Sequence, residues 1–386
     1  MLRYLTAGES HGPQLTAIVE GLPANLPFSV EKINHQLWRR QQGYGRGGRM
    51  RIETDQVKIG SGVRFGKTMG TPVTLVIENR DWKNWEQRMS IEGNPPADLE
   101  VVTKPRPGHA DLAGALKYDQ EDIRNVLERA SARNTATLVA IGAVARQLLE
   151  QFNIHVYSHV VELGPVKVGA ISGTIEDIAA RAEQSQVRVA NPEKEEEIIE
   201  LIKKVRKEGN SLGGIFEVVV TGVPVGLGSY SMPDRKLDSR LAGALMGIQA
   251  IKGVEIGLGF DAARRLGSDV HDEIFYSQDR GYYRDTNGAG GLEGGVSNGQ
   301  PIVVRAAMKP IPTLYKPLRS VDMASKDAYE ASIERSDVCA VPAAAVVGEA
   351  VTAWVLAQSF LEKFGGDSLE EIKNNYGNYQ AMVARR

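Results

Sequence analysis

One pattern written twice constrains this 386-residue chain more than any other feature. Residues 15–20 alternate like a strand and run into Gly21-Leu22-Pro23-Ala24-Asn25-Leu26. Residues 215–221 do the same and run into Gly222-Val223-Pro224-Val225-Gly226-Leu227, so both turns read G-x-P-x-x-L. A helical stripe follows each, Val30, Ile33 and Leu37 after Ser29, and Leu241, Leu245 and Ile248 after Asp238. Gly70-Thr71-Pro72-Val73 and Gly299-Gln300-Pro301-Ile302 then each open a strand. Each half closes with an arginine-led loop and an alanine-rich helix, Arg106 before residues 130–152 and Arg335 before residues 343–364. Each match is short, but their common order implies a duplication, about 1–160 and 215–365, within a single domain spanning 1–386. The strands come in hairpin-like groups and do not alternate strictly with helices. The expected fold class is therefore α+β, a layered sandwich of mostly antiparallel sheets around a helical core.

The stretch 172–210 interrupts this pattern. Thr174 with Asp177 three residues on has capping-box spacing, and Asn191-Pro192 opens a second helix with Ile198, Ile199, Leu201, Ile202 and Val205 among many charges. Asn210 and Gly213-Gly214 stop it. It reads as a charged, solvated helical excursion.

Charge and cysteine content narrow the function. Forty-six basic residues against 48 acidic give a net charge of −2, which excludes a generally basic nucleic-acid binder. A single cysteine, Cys339, excludes an intramolecular disulfide and a cysteine-rich zinc module. Residues 1–12 show no secretory pattern, and no uninterrupted apolar run of about 18 residues suggests a membrane span. A cytoplasmic protein is expected. Glycine, 41 residues or about 11% against a typical ~7%, is clustered, which points to loops where backbone approaches a partner closely.

Three motifs fail on context. Gly43-Tyr44-Gly45-Arg46-Gly47-Gly48 fits G-x-G-x-x-G, but a helix precedes it and a strand-like stretch, 49–57, follows, the reverse of a dinucleotide fingerprint. Residues 62–68 end in Gly-Lys-Thr with one residue too few for a phosphate loop. His155 and His159 have helical metal-ligand spacing, yet their segment reads as strand, so they are expected to face solvent; no metal is expected.

Other constellations survive. Arg39, Arg40, Arg46, Arg49 and Arg51 lie on a glycine-rich turn with no acid before Glu53, which suits phosphate or carboxylate better than a solvated face. Arg106, Arg124, Arg129, Arg133 and Arg335 add cations, with Arg129 and Arg133 four apart and so expected on one helix face. Ala130, Ser131, Ala132, Thr135 and Ala136 suit either close helix packing or a flat ligand. Residues 288–295 are a second close-approach segment, followed by Lys309-Pro310-Ile311-Pro312-Thr313, a stiff strand end with one cation. His11 and His109, each expected after a strand and beside glycine, are acid–base candidates. Asp337 leads an apolar helix, either as its N-cap or as a proton acceptor. These residues describe an enzyme for a polyanionic small molecule with space for a planar group.

Taken together, the segments resemble chorismate synthase. The matching motifs are G-E-S-H-G at 8–12, R-R-Q-Q-G-Y-G-R-G-G-R-M at 39–50, R-P-G-H-A-D at 106–111 and E-R-A-S-A-R at 128–133. They continue with G-G-V-S-N-G at 294–299, K-P-I-P-T at 309–313 and R-S-D-V-C-A-V-P-A-A at 335–344. Ala130 stands where that family often has serine. The resemblance implies a 1,4-anti elimination of phosphate from 5-enolpyruvylshikimate 3-phosphate to give chorismate, the last common step of the shikimate pathway. It also implies a requirement for reduced FMN (FMNH2) and a homotetramer. It assigns His11 to protonating the departing phosphate, His109 to keeping the reduced flavin in its working protonation state, and Asp337 to deprotonating flavin N5. Flavin contacts would fall on Arg129, Ala130, Ser131, Gln249, Ala250, Gly294, Lys309, Pro310, Ile311, Pro312, Thr313 and Arg335. Arg40 and Arg46 match positions that bind nicotinamide (NADP) or substrate, and Arg49, Arg106 and Arg133 would join the substrate clamp. Some members of that family reduce FMN with NADPH and others use outside reductants.

Two other classes compete. An Arg-Gly nucleic-acid binder needs aromatic residues among the arginines and a basic domain; Tyr44 is the only aromatic in the run and the chain is slightly acidic. An enzyme that only reduces flavin would show no substrate turnover with prereduced FMN.

Overall fold

The structure is a computed structural model that describes residues 1–46, 54–330 and 337–386. Arg49, Arg51 and Arg335, and most of the strand expected over 49–57, lie outside the described residues.

The first half builds one sheet. β1 (Arg3–Ala7) pairs antiparallel with β2 (Gln14–Glu20), whose Leu15, Ala17 and Val19 are buried while the residues between them face outward, the period-2 pattern of a half-buried strand. Next comes α1 (Val30–Gln41), where Ser29 caps by accepting the Lys32 N–H. With β3 (Val57–Ser61) and β4 (Val73–Glu78) the sheet order is β1-β2-β4-β3, all antiparallel.

The alanine-rich helix expected over 130–152 is broken. α2 (Asp111–Tyr118) and α3 (Arg124–Ala130) come first; the backbone is extended at Ser131 (φ −62°, ψ 140°), and a 3-10 turn, Ala132–Asn134, leads into α4 (Thr135–Glu150). Ser131 Oγ accepts the Arg133 N–H at 3.3 Å, a local bond that competes with helix continuation. Arg129 and Arg133 therefore do not share a helix face.

β5 (His155–Leu163) and β6 (Val166–Lys167) open the second sheet. α5 (Ile175–Gln184) has the Thr174–Asp177 capping box, and α6 (Pro192–Lys207) starts at the Asn191 cap. Ile198 and Ile202 on α6 are fully buried, so the charged stretch is docked on the body. β7 (Gly214–Thr221), α7 (Leu237–Met246), β8 (Ile251–Ile256) and β9 (Ile302–Met308) complete an antiparallel sheet of order β8-β9-β7-β5-β6. His155 is exposed, as expected, but His159 is buried with Nε2 3.7 Å from Glu217; burial and the Arg188 charge push it down to about 4. It sits on the sheet against α5, where sequence spacing could not register the covering helix.

α8 (Val341–Phe364) is buried along most of its length and runs through the middle, followed by α9 (Leu369–Val383). By length and composition α8 could cross a membrane, but 89% of its most apolar window is buried inside the protein, so it is a core helix. It packs on α4 on one side and on β5 and β7 on the other, while α4 packs on β2 and β4, giving sheet, helix, helix, sheet. Gly142 sets the α4–α8 approach, because a Cβ there would lie 2.4 Å from Ala350 Cα. Gly142→Ala is expected to destabilise the protein by about 1–3 kcal/mol, the usual cost of overpacking, although alanine favours helix. A thermal midpoint equal to or above wild type would show that the helices can move apart freely.

Candidate active site

The first part of the site joins the β1–β2 loop to α3. Gly8 has φ +112°, and a Cβ there would lie 2.4 Å from the Gln14 carbonyl oxygen, so only glycine fits. The His11 N–H donates to Glu128 Oε2 at 2.7 Å, and His11 Nδ1 lies 2.9 Å from Glu128 Oε1. Arg124, one turn earlier, donates to the same carboxylate at 3.2 Å. Burial opposes the Glu128 charge, but the His11 contacts and Arg124 outweigh it and hold the carboxyl below its usual range. The Trp85 ring lies 4.0 Å from the His11 ring, with the Arg124 guanidinium 5.0 Å from the Trp85 ring centre. Ser131 Oγ meets Ser10 Oγ at 3.1 Å, and Arg129 ties the loop down by donating to the Gly8 and Thr6 carbonyls at 3.2 and 3.0 Å.

The second part centres on His109. The irregular segment 101–108 precedes it, not the expected strand, and α2 follows. His109 Nδ1 hydrogen-bonds Asp111, which also accepts the Arg106 N–H at 3.0 Å and Arg106 Nε at 2.9 Å. Burial works against the Asp111 charge, and the His109 and Arg106 bonds hold it far below the ordinary carboxylate range. Lys309 Nζ donates to the Gly108 carbonyl, and the Lys309 N–H donates to the Ala250 carbonyl at 2.9 Å. Ser211 Oγ anchors the same strap through the Ile311 carbonyl at 2.6 Å. Ala250 has φ +68°, left-handed backbone that a non-glycine residue adopts only under constraint, and the neighbouring Gln249 Oε1 is buried with no hydrogen-bond partner. α2 packs on α3 where Gly114 meets Val126, which joins the two histidine clusters.

The third part is the described end of the arginine turn. Arg46 Nε lies 3.3 Å from Asp337 Oδ2, and the Val338 N–H donates to the Gly45 carbonyl at 2.8 Å. Asp337 is not a helix N-cap: that position is Ala340, three residues on, and it makes no side-chain cap. The Leu212 N–H donates to the Val338 carbonyl at 2.8 Å, so this cluster adjoins the Ser211 anchor of the strap. Arg40 and Arg133 lie deeper, 3% and 6% exposed, both paired with buried Asp55; Arg40 also donates to Thr135 Oγ1 at 2.8 Å.

Gly294 stands apart. It turns the hairpin between Leu292–Glu293 and Val296–Ser297, and the adjacent Gly295 carbonyl accepts the Leu237 N–H at the start of α7. Gln249 follows the other end of α7, a helix of 10 residues and so about 15 Å long at 1.5 Å per residue. Sequence reasoning missed Glu128, Asp111 and Asp55 as partners, and Trp85 altogether. The first two sit inside the E-R-A-S-A-R and R-P-G-H-A-D motifs; an acid beside an arginine in such a motif was the available signal. Among the described residues no group of three or more His, Cys, Asp or Glu is placed to hold a metal ion.

Comparison with known proteins bears on this arrangement directly. Residues 2–361 match the family model described as chorismate synthase. The chain is 61% identical over 384 residues to a chorismate synthase of Desulforamulus reducens, covering 99% of both. It is 57% identical over 386 residues to one of Aquifex aeolicus, covering 98% of this chain and 97% of that one. A crystal structure of a chorismate synthase superposes with a TM-score of 0.82 at 48% identity, covering 100% of this chain and 99% of the other. The layered fold and the full-length identity agree, and this chain belongs to the chorismate synthase family, carbon–oxygen lyases of aromatic amino acid biosynthesis.

Proposed function

We propose that this chain eliminates phosphate from 5-enolpyruvylshikimate 3-phosphate to give chorismate, with reduced FMN as required cofactor. The observation that carries this reading is the pair of histidines, each set on a buried carboxylate that an arginine also holds, with the two clusters joined through packed helices. The substrate has two carboxylates and a phosphate, and Arg46, Arg106, Arg124, Arg129 and Lys309 are described cations at the three clusters. Preorganised cations facing a leaving phosphate stabilise the charge that develops on it. His11 gives that phosphate its proton, and Asp337 is the carboxylate that takes a proton on the opposite side of the reaction. His109, held by Asp111 and Arg106, sets the protonation state of the cofactor.

The residues fit a flavin. Gln249 Oε1 is a buried acceptor lacking a donor, and the strained Ala250 carbonyl is tied to the Lys309 strap, so this corner suits a planar group with ring N–H donors. Arg129, Ala130, Ser131, Gln249, Ala250 and Lys309 to Thr313 would hold it, with Gly294 and Arg335 as further contacts. When bound, reduced FMN would supply electron density to the substrate's allylic system, the chemistry that these residues themselves lack. Arg40 and Arg133 act from below, through Asp55, and Arg46 meets substrate or NADPH. The assembly is a homotetramer, a reading supported by the exposed aromatic side chains of Phe260, Tyr276 and Tyr282, 67%, 62% and 65% accessible in the single chain.

Anaerobic assay with dithionite-reduced FMN is expected to show phosphate release from 5-enolpyruvylshikimate 3-phosphate, and oxidised FMN none. Equal turnover with and without reduced flavin would sink the reading. Repeating the assay with NADPH as sole reductant decides whether the chain reduces its own FMN.

A further inference from the structure

Glu128 is buried to 1% exposure and spans two elements. A carboxylate serving only as an ion-pair partner would need no more than Arg124 on its own helix. This one also accepts the backbone N–H of His11 at 2.7 Å and faces the ring Nδ1 at 2.9 and 3.1 Å, across 117 residues of sequence. Two bonds from one residue fix both the loop and the ring, and Trp85 at 4.0 Å limits rotation of the imidazole. An ionised carboxylate only accepts, so the neutral ring must carry its hydrogen on Nδ1. Held below its usual range by these contacts, Glu128 is ionised at neutral pH.

We propose that Glu128 is a positioning residue for the elimination, holding His11 as the Nδ1–H tautomer with Nε2 as the atom that transfers the proton. As the C–O bond breaks, its electron pair leaves with the phosphate oxygen, which takes the proton from Nε2 of the imidazolium, while the pair of the ring C–H bond completes the new double bond as that ring proton departs to a base. The ring is left as the neutral Nδ1–H form and regains a proton from solvent. The kinetic consequence rests on His11 being the proton donor; the tautomer does not.

The test uses the full chain labelled with nitrogen-15 histidine, in wild type and Glu128→Gln, at a pH where the rings are neutral. His11 signals are assigned by their loss in His11→Gln. Wild type is expected to show Nδ1–H. In the Gln variant the carboxamide N–H can donate to Nδ1, so the ring should move to Nε2–H, the tautomer error an amide imposes at a His–carboxylate pair. With prereduced FMN, kcat should fall by about 10²-fold with KM within about threefold, and the His109 signals should stay in place. A wild-type ring protonated on Nε2, a Gln variant that keeps Nδ1–H, or a Gln variant with unchanged kcat would each overturn the proposal. The wild-type spectrum decides the tautomer even if Glu128→Gln does not fold. Full activity in His11→Gln would refute His11 as proton donor and leave the tautomer result standing.

Discussion

Asp337→Asn is expected to slow turnover by about 10²–10⁴-fold with the fold retained, because an amide cannot accept a proton at working pH. Sequence left a second role open, that of helix N-cap, and the structure removes it: α8 is capped at Ala340, beyond the aspartate. One partner of Asp337 is Arg46, 3.3 Å away, with the aspartate side chain 21% exposed. Losing that partly solvated ion pair should cost about 0–1 kcal/mol, far less than the loss in rate. Thermal midpoint and single-turnover phosphate release with prereduced FMN separate the two quantities. A variant within about threefold of the wild-type rate, well short of a general-base loss, would show that the proton goes elsewhere.

The largest stability effect is expected at Glu349. This residue, 1% exposed in the middle of α8, accepts from Arg39 at 2.6 and 2.9 Å, Arg146 at 2.5 Å, Arg188 at 3.3 Å and Ser158 Oγ at 2.6 Å. Glu183 pairs with Arg39 and Arg188, so three guanidiniums share two carboxylates. Glu349→Gln leaves buried positive charge short of a partner and should destabilise the protein by about 3–5 kcal/mol, measured by denaturant unfolding at pH 7. Burial raises the Glu349 carboxyl, but Arg39, Arg146 and Arg188 more than reverse this, so its folded value lies far below the ordinary 4.5. A depressed carboxyl contributes fully above its unfolded value and loses that contribution as pH falls toward the folded one. Wild type should therefore lose stability more steeply than Glu349→Gln below about pH 4.5. Parallel pH profiles for the two proteins would rule out this linkage.

Much of the fold was legible because the signals that specify it are local. Alternation of Leu15, Ala17 and Val19, the Ser29 cap on α1 and the Thr174–Asp177 box on α5 act within a few residues, and each element formed where its signal lies. The motif strings were equally readable, so His11, His109 and the Lys309 strap stood out before any coordinates did.

What the chain alone did not reveal are the partners. The alanine-rich composition predicts helix through Ser131, yet the helix breaks there, where Ser131 bonds to the Arg133 N–H and meets Ser10 in the His11 loop. Arg129 and Arg133, four apart in sequence, turn to different tasks, one to the β1–β2 loop and one to Asp55. Glu128 finds His11 across 117 residues, and Arg39 finds Glu349 across 310. The sequence by itself determined the elements, the layered class and the family's motifs. Only the tertiary structure decided which carboxylate orients His11, which arginines are buried and that Asp337 is no cap. A strand or helix arises from interactions within a few residues, whereas pairing a charge depends on which distant segment the packed sheets and helices bring beside it.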